Sequence, residues 1–201
     1  MPYSEFNLKK VINDFNIDIN DNKDVFGAIP CVPASDTLKN NLKDSVPLAL
    51  SINTEKARSE FIIAPVLFEL KSKHKDQISL FSGIDFDVDP EKRLNGFCDF
   101  LISLSPKQLI LTSPILAVVE AKNENIIGGL GQCLSEMIAC QIYNKKNKQN
   151  IHNIYGVVTA GSSWKFLKLD GKLALIDKVE YHIERIDKII GIFTEMINQK
   201  V

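Results

Sequence analysis

Apolar positions along the chain change their period several times, and each change marks an element. Residues 115–119 are an unbroken apolar run that ends in Glu120-Ala121-Lys122. Such a run predicts a strand buried on both faces. Alternation along it sets Glu120 and Lys122 on one side and Ala121 on the other. Two strands are predicted before it. Over 78–88, Ile84, Phe86 and Val88 alternate with Asp85 and Asp87; over 96–104 the strand holds Asp99. Asp89-Pro90 predicts the turn between them, and 105–114 a loop bracketed by prolines. A further apolar strand follows over 151–159. A hairpin is predicted over 164–169 and 173–179, turning at Asp170-Gly171.

Helical spacing fills the rest. Phe6, Leu8, Val11, Ile12 and Phe15 give one face to a helix over 4–17, with Ser4 as its cap. Residues 16–24 read as turn-like, and 25–33, with two prolines, as an extended edge or loop. Ser35 caps a brief helix to about Lys43, stopped before Pro47. Thr54 opens a longer one with Ala57, Phe61, Ala64, Leu67, Phe68 and Leu70 on its apolar side. It closes in Lys71, Lys73, His74 and Lys75, cations suited to a helix C-terminus, and Pro65 is expected to kink it. Gly128, Gly129 and Gly131 mark a turn into a helix running to about Asn147, close enough to its neighbours to use the glycines. A final amphipathic helix covers 183–199.

The order from residue 54 is helix, three strands, helix, strand, then a hairpin and a closing helix. Short connections make the first three strands antiparallel, and the strand–helix–strand passage a right-handed parallel crossover. The expected fold is α/β, a mixed central sheet flanked by helices. It is one domain over 1–201: a helical extension over 1–50, a core over 54–169, and a C-terminal strand and helix over 170–201.

Composition narrows this little. The chain has 201 residues, 45% hydrophobic and 24% charged, with 24 basic against 25 acidic side chains. Net charge therefore points to no nucleic-acid partner, although a local basic groove would serve one. Cys31, Cys98, Cys133 and Cys140 form no CxxC pair, and His74, His152 and His182 lie far from them, so no structural zinc site is expected. Cysteine usage and the absence of a signal-like N-terminus fit a cytoplasmic protein, and no apolar run approaches the roughly 20 residues of a membrane span.

The charged strand ends carry the chemistry. If the second and third strands pair as a hairpin with Leu104 facing Ile115, counting outward brings Asp99 opposite Glu120. Two such carboxylates repel unless a cation holds them. Mg²⁺ commonly takes one or two carboxylates plus water and phosphate. Lys122 adds a charge able to steady a hydroxide or a phosphate oxygen, which completes the parts for metal-assisted phosphodiester hydrolysis. Trp164 reads as core, and Lys145, Lys146 and Lys148 as a solvated helix end.

The stretch Gly96-Phe97-Cys98-Asp99-Phe100, then Glu120-Ala121-Lys122, then Gln132 on the next helix, resembles the PD-(D/E)XK nuclease superfamily. Glu60, in Arg58-Ser59-Glu60-Phe61, resembles the additional helix acid of many members. The similarity spans about 54–169, in texture closest to bacterial restriction-endonuclease-like proteins and type I restriction subunit nuclease domains. Cys98 stands where the motif has Pro. Position 136 lacks the tyrosine of the RecB-like branch. The resemblance implies a restriction-endonuclease-like core and a Mg²⁺- or Mn²⁺-dependent nuclease acting on DNA. Asp99 and Glu120 would then be metal ligands, Glu60 would act through a metal-bound water, Lys122 would position the nucleophilic water, and Gln132 would orient Lys122 or substrate. A second copy, or other restriction or defence subunits, are the implied protein partners. Two other function classes stay open: a catalytically silent nucleic-acid-binding or assembly module of the same fold, and a partner-binding subunit docking through its terminal helices.

Overall fold

The computed structural model describes residues 3–149 and 151–199. It is a mixed α/β architecture with an eight-stranded sheet among the described residues. Helix α1 (Leu8–Phe15) and the short strand β1 (Asp18–Asn20) come first, then α2 (Asp36–Ile52). Helix α3 (Glu55–Arg58) runs through a π-helical turn, Ser59–Ile63, into α4 (Ala64–Lys73). Strands β2 (Ser79–Asp85), β3 (Phe97–Ser103) and β4 (Ile115–Ala121) follow. Helix α5 (Ile126–Lys146) leads to β5 (Asn153–Thr159), β6 (Ser163–Asp170), β7 (Leu173–Ile176), β8 (Tyr181–His182) and α6 (Ile186–Ile197).

The spatial order is β1-β7-β6-β5-β4-β3-β2, with β8 against β6. Strands β2, β3 and β4 pair antiparallel, β4 and β5 pair parallel across α5, and β5, β6 and β7 pair antiparallel. One face packs under α2, α4 and α6 through Leu42, Leu67, Phe100, Val119, Phe166 and Phe193. The other packs under α5 and α1 through Val11, Leu101, Val118, Leu134, Met137 and Val158. Strand β4 lies at the join and is buried along its whole length. Its alternate residues feed both cores, which is why its sequence is continuously apolar.

Four expectations are corrected. Ser4 does not open a long first helix: Tyr3–Glu5 is a 3₁₀ turn, and α1 begins at Leu8 with the Asn7 side chain accepting from the Lys10 N–H. The buried Tyr3 hydroxyl donates to Phe86 O at 2.7 Å and pins this segment to the loop after β2. Pro47 lies inside α2, not beyond it. Leu38, Leu42, Ser45 and Ala49 make one buried stripe across it, and packing of that stripe outweighs the roughly 3 kcal/mol an interior proline costs. The polar stretch after α1 contains β1, which pairs parallel with β7 and adds a strand from the first 50 residues to the sheet. The Asn125 side chain caps α5 at Gly128 N–H, so the three glycines sit in its first turns, not before them.

The helix expected to kink at Pro65 is instead interrupted by a π-helical turn just before it. The π-turn before it, closed by the Ala64 N–H on Ser59 O, sets the proline in the first turn of α4, where it needs no N–H partner. Trp164 is fully buried, with its indole N–H on Gly161 O at 2.8 Å. The four cysteines are free thiols, and Cys98, Cys133 and Cys140 are small core residues. No helix among the described residues is long and apolar enough to cross a membrane.

Candidate active site

The charged end of β4 meets β3 on one side and the first turns of α5 above. Phe100 pairs with Val119, Leu101 with Val118, and Ile102 with Ala117. The next pair in that register is Asp99 with Glu120. A bulge between Ile102 and Ser103 sets Ser103, not Leu104, opposite Ile115, so the hairpin closes one residue away from the expected loop end. At the other end of β3, Cys98 and Leu101 are both buried in the core under α5. The Asp99 carboxylate turns along the sheet and accepts the Ala121 N–H at 2.8 Å.

Glu120 is 1% exposed. Its Oε1 accepts from Lys122 Nζ at 2.5 Å, and its Oε2 is buried with no hydrogen-bond partner among the described residues. Lys122 Nζ also donates to Gln132 Oε1 at 3.2 Å. Gly129 makes this approach feasible: a Cβ there would stand 2.7 Å from Val158 Cγ1 and 3.1 Å from Lys122 Cε. Gly129 is thus a spacing residue between α5 and the end of β4.

Burial sets the electrostatics. It pushes the Glu120 carboxyl up to about 8, with Asp99's charge adding and Lys122 opposing. Asp99 is raised by burial too, against the Ala121 N–H and the Lys122 charge. Burial alone would lower Lys122, but once Glu120 is ionised its charge and hydrogen bond outweigh burial and raise the ammonium. The folded protein therefore retains a proton on Glu120 that the unfolded chain releases near pH 4.5. A raised folded value means stability is fully present below the unfolded one and is lost as pH rises toward the folded one. In chelator, the unfolding free energy obtained from urea titration is expected to fall between pH 5 and 8, by up to about 1.4 kcal/mol per pH unit while this group titrates. A flat profile across that window would contradict the buried pair.

Of the residues singled out in the sequence, Asp99, Glu120, Lys122 and Gln132 converge. Glu60 does not. It lies on the π-turn, its side chain 55% exposed and paired with Lys56 at 3.4 Å, and it borders a groove with Thr37, Asn41 and Phe68. Five residues round a helix is about 140° of rotation, so Glu60 faces away from the side that Glu55 presents. Glu55 is the helix acid whose charge reaches the site. It raises Glu120 and strengthens Lys122. The capped first turn of α3 aims it there, through the Thr54 side chain on the Ala57 N–H.

Two residues escaped the sequence reading. Glu136 is fully buried and accepts from Gln132 Nε2 at 3.1 Å. Its spacing of four from Gln132 was the available signal, since that places both on one helix face. Arg58 is 6% exposed and bonds Asn123 Oδ1, Asn53 Oδ1 and Ala160 O, tying α3 to the segments leaving β4 and β5. It gave no advance signal, because its partners are distant in sequence. A cleft of about 330 Å³ beside the site is lined by Arg58, Asn123, Asn125, Ile127 and Ser163. A larger cavity, about 530 Å³, lies at the far end of α5 beside Lys145, His152 and Lys172, and is lined by none of the candidate residues. Lys145 is 13 residues beyond Gln132 on α5, about 20 Å along the axis, so that lysine run lies away from the carboxylates.

A metal would find two carboxylates here, not three. Among the described residues no group of three or more His, Cys, Asp or Glu side chains is arranged to hold an ion. Asp99 with the orphaned Glu120 Oε2 still fits a hard cation that takes its remaining ligands from water and phosphate. A cation beside that oxygen would satisfy a buried acceptor whose isolation otherwise costs about 1–3 kcal/mol or more. Comparison of the chain with protein-family models, with curated proteins and with solved structures gives no match. The functional reading rests on the site's own chemistry.

Proposed function

We propose that the protein is a divalent-metal-dependent nuclease that hydrolyses phosphodiester bonds, in DNA by the resemblance of its motif. The observation that carries this reading is the meeting of Asp99, Glu120 and Lys122 at one strand end, where the second Glu120 oxygen is buried without a hydrogen-bond partner among the described residues. The order helix, three strands, helix, strand, in a mixed sheet, supports a restriction-endonuclease-like core.

Asp99 and Glu120 would hold Mg²⁺ or Mn²⁺, which when bound supplies Lewis-acid stabilisation of the phosphoryl oxygens. The chain's own groups do the rest. Lys122, kept charged by Glu120, presents an ammonium to the attacking water or to a non-bridging oxygen. Gln132 fixes that ammonium's direction from above. The buried floor of β4 keeps bulk water from one side of the site, where each charge then acts more strongly.

The test is cleavage by the purified chain. With Mg²⁺ or Mn²⁺ it is expected to cut linear or circular DNA, and to stop in EDTA or as Asp99→Ala. No cutting of any DNA or RNA form, or an active Asp99→Ala, overturns the reading. DNA binding that survives EDTA and Asp99→Ala without cleavage would assign the chain to the silent binding modules instead. A second comparison separates the two helix acids. Glu55→Gln is expected to lower the rate about tenfold, whereas Glu60→Gln, whose side chain faces the α2 groove, leaves it within twofold. The reverse order would return the role to Glu60.

A further inference from the structure

We propose that Glu136 is a positioning residue that locks the Gln132 amide so that its oxygen, not its NH₂, faces Lys122. The inference rests on the reading of Lys122 as part of the hydrolytic site. A glutamine amide has two ends of nearly equal size, and a half-turn about its last bond exchanges them. Facing the Lys122 ammonium, the oxygen accepts a hydrogen bond; the NH₂ would set donor against donor. Something must hold the correct end in place.

Glu136 does so directly. It lies one helical turn beyond Gln132 on α5, and its Oε1 accepts from Gln132 Nε2 at 3.1 Å while Gln132 Oε1 accepts from Lys122 at 3.2 Å. Glu136 is fully buried, so water cannot replace that acceptor. The result is a row of four side chains from two elements, Glu136, Gln132, Lys122 and Glu120, each in hydrogen-bond contact with the next. Among the described residues Glu136 makes no other side-chain hydrogen bond. The charges and thiols that act on it or that it acts on are Glu120, Asp99 and Lys122 toward the site, and Cys98, Cys133, Cys140 and Tyr3 within the core. Its second oxygen has no partner among the described residues. A carboxyl at such a place costs several kcal/mol relative to an aliphatic side chain. An apolar residue of the same volume would pack the core better and would leave Gln132 free to turn.

Two arms test this on the full chain. The first follows the Gln132 side-chain NH₂ by ¹⁵N NMR, assigned by its loss in Gln132→Ala. In the parent and in Glu136→Gln, which keeps a carbonyl acceptor, the pair is expected to exchange with solvent at least tenfold more slowly than an exposed glutamine. In Glu136→Met that protection is expected to vanish. Unchanged protection in Glu136→Met overturns the proposal. Should Glu136→Met fail to fold, the parent decides: exchange within twofold of an exposed glutamine overturns it as well. The second arm is turnover. Glu136→Met and Gln132→Ala are each expected to lower kcat about tenfold with KM within twofold, Glu136→Gln to recover most of that, and the double variant to lose no more than either single. Multiplying losses in the double variant would mean that Glu136 acts independently of Gln132, and would overturn the proposal. A parent that cleaves nothing sinks the nuclease reading, while the NMR arm still decides the orientation of the amide.

Discussion

Glu120→Gln is expected to give a protein that cleaves at least about 10²–10³-fold more slowly and yet unfolds later. The two effects share one cause. Glu120 is seated where an ionised carboxylate is disfavoured: buried, beside Asp99, and relieved only in part by Lys122. The isosteric amide keeps the volume and the acceptor toward Lys122 but removes the charge. In chelator at pH 8 the variant should gain about 1–3 kcal/mol over the parent, seen as a rise of roughly 2–4 °C in Tm per kcal/mol. At pH 5, where the parent's Glu120 is already protonated, the two should coincide. The gain should also shrink when Mn²⁺ is added, because the ion stabilises the parent by binding its folded form and finds no second anion in the variant. Equal Tm values across pH, or undiminished cleavage, would each contradict the arrangement described.

The largest loss of stability is expected far from the site. In Lys188→Met the urea-derived stability should fall by about 3–5 kcal/mol. Lys188 lies on α6, 3% exposed, and its ammonium donates to Phe26 O at 2.8 Å, Gly27 O at 2.9 Å and also to Ile29 O. No carboxylate among the described residues pairs with it; three main-chain carbonyls take its place. The same helix seats the neighbouring loop at further points. Val32 N–H reaches Asp187 O, Ala34 N–H reaches Asp187 Oδ1, and Gly191 leaves no room for a Cβ beside Pro30 O. Methionine keeps the stem's packing but strands the buried Phe26 carbonyl and removes the donor from the part-buried carbonyls of Gly27 and Ile29. A loss below about 1 kcal/mol would show that the loop finds other donors.

Much of the site was legible because strand chemistry is local. The run from Ile115 to Val119 announced a doubly buried strand, and counting back from the loop brought Asp99 beside Glu120. The pairing of Phe100 with Val119 preserves that count even though a bulge shifts the loop end. Helix faces were less legible. Glu55 and Glu60 share a stretch of sequence and are both exposed, and only the turn of the helix between them decides which one's charge reaches the site. Glu136 was hidden for the opposite reason: an acidic residue inside an apolar helix pattern reads as solvent-facing until its neighbours are known. Pro47 and β1 were missed because each depends on tertiary partners, a buried stripe in one case and β7 in the other.

That last strand has a consequence for how the chain assembles. Asp18 pairs with Leu173, a separation of 155 positions (173 − 18). The first edge of the sheet therefore has nothing to join until almost the whole chain has been made. Closing so long a loop before any contact repays it is slow. On a ribosome, β2 to β5 can pair while β1 waits, so docking of β1 belongs among the last events of folding. A protease added during synthesis or refolding should find the segment around Asp18 to Asn20 open after the carboxylate-bearing strands have closed.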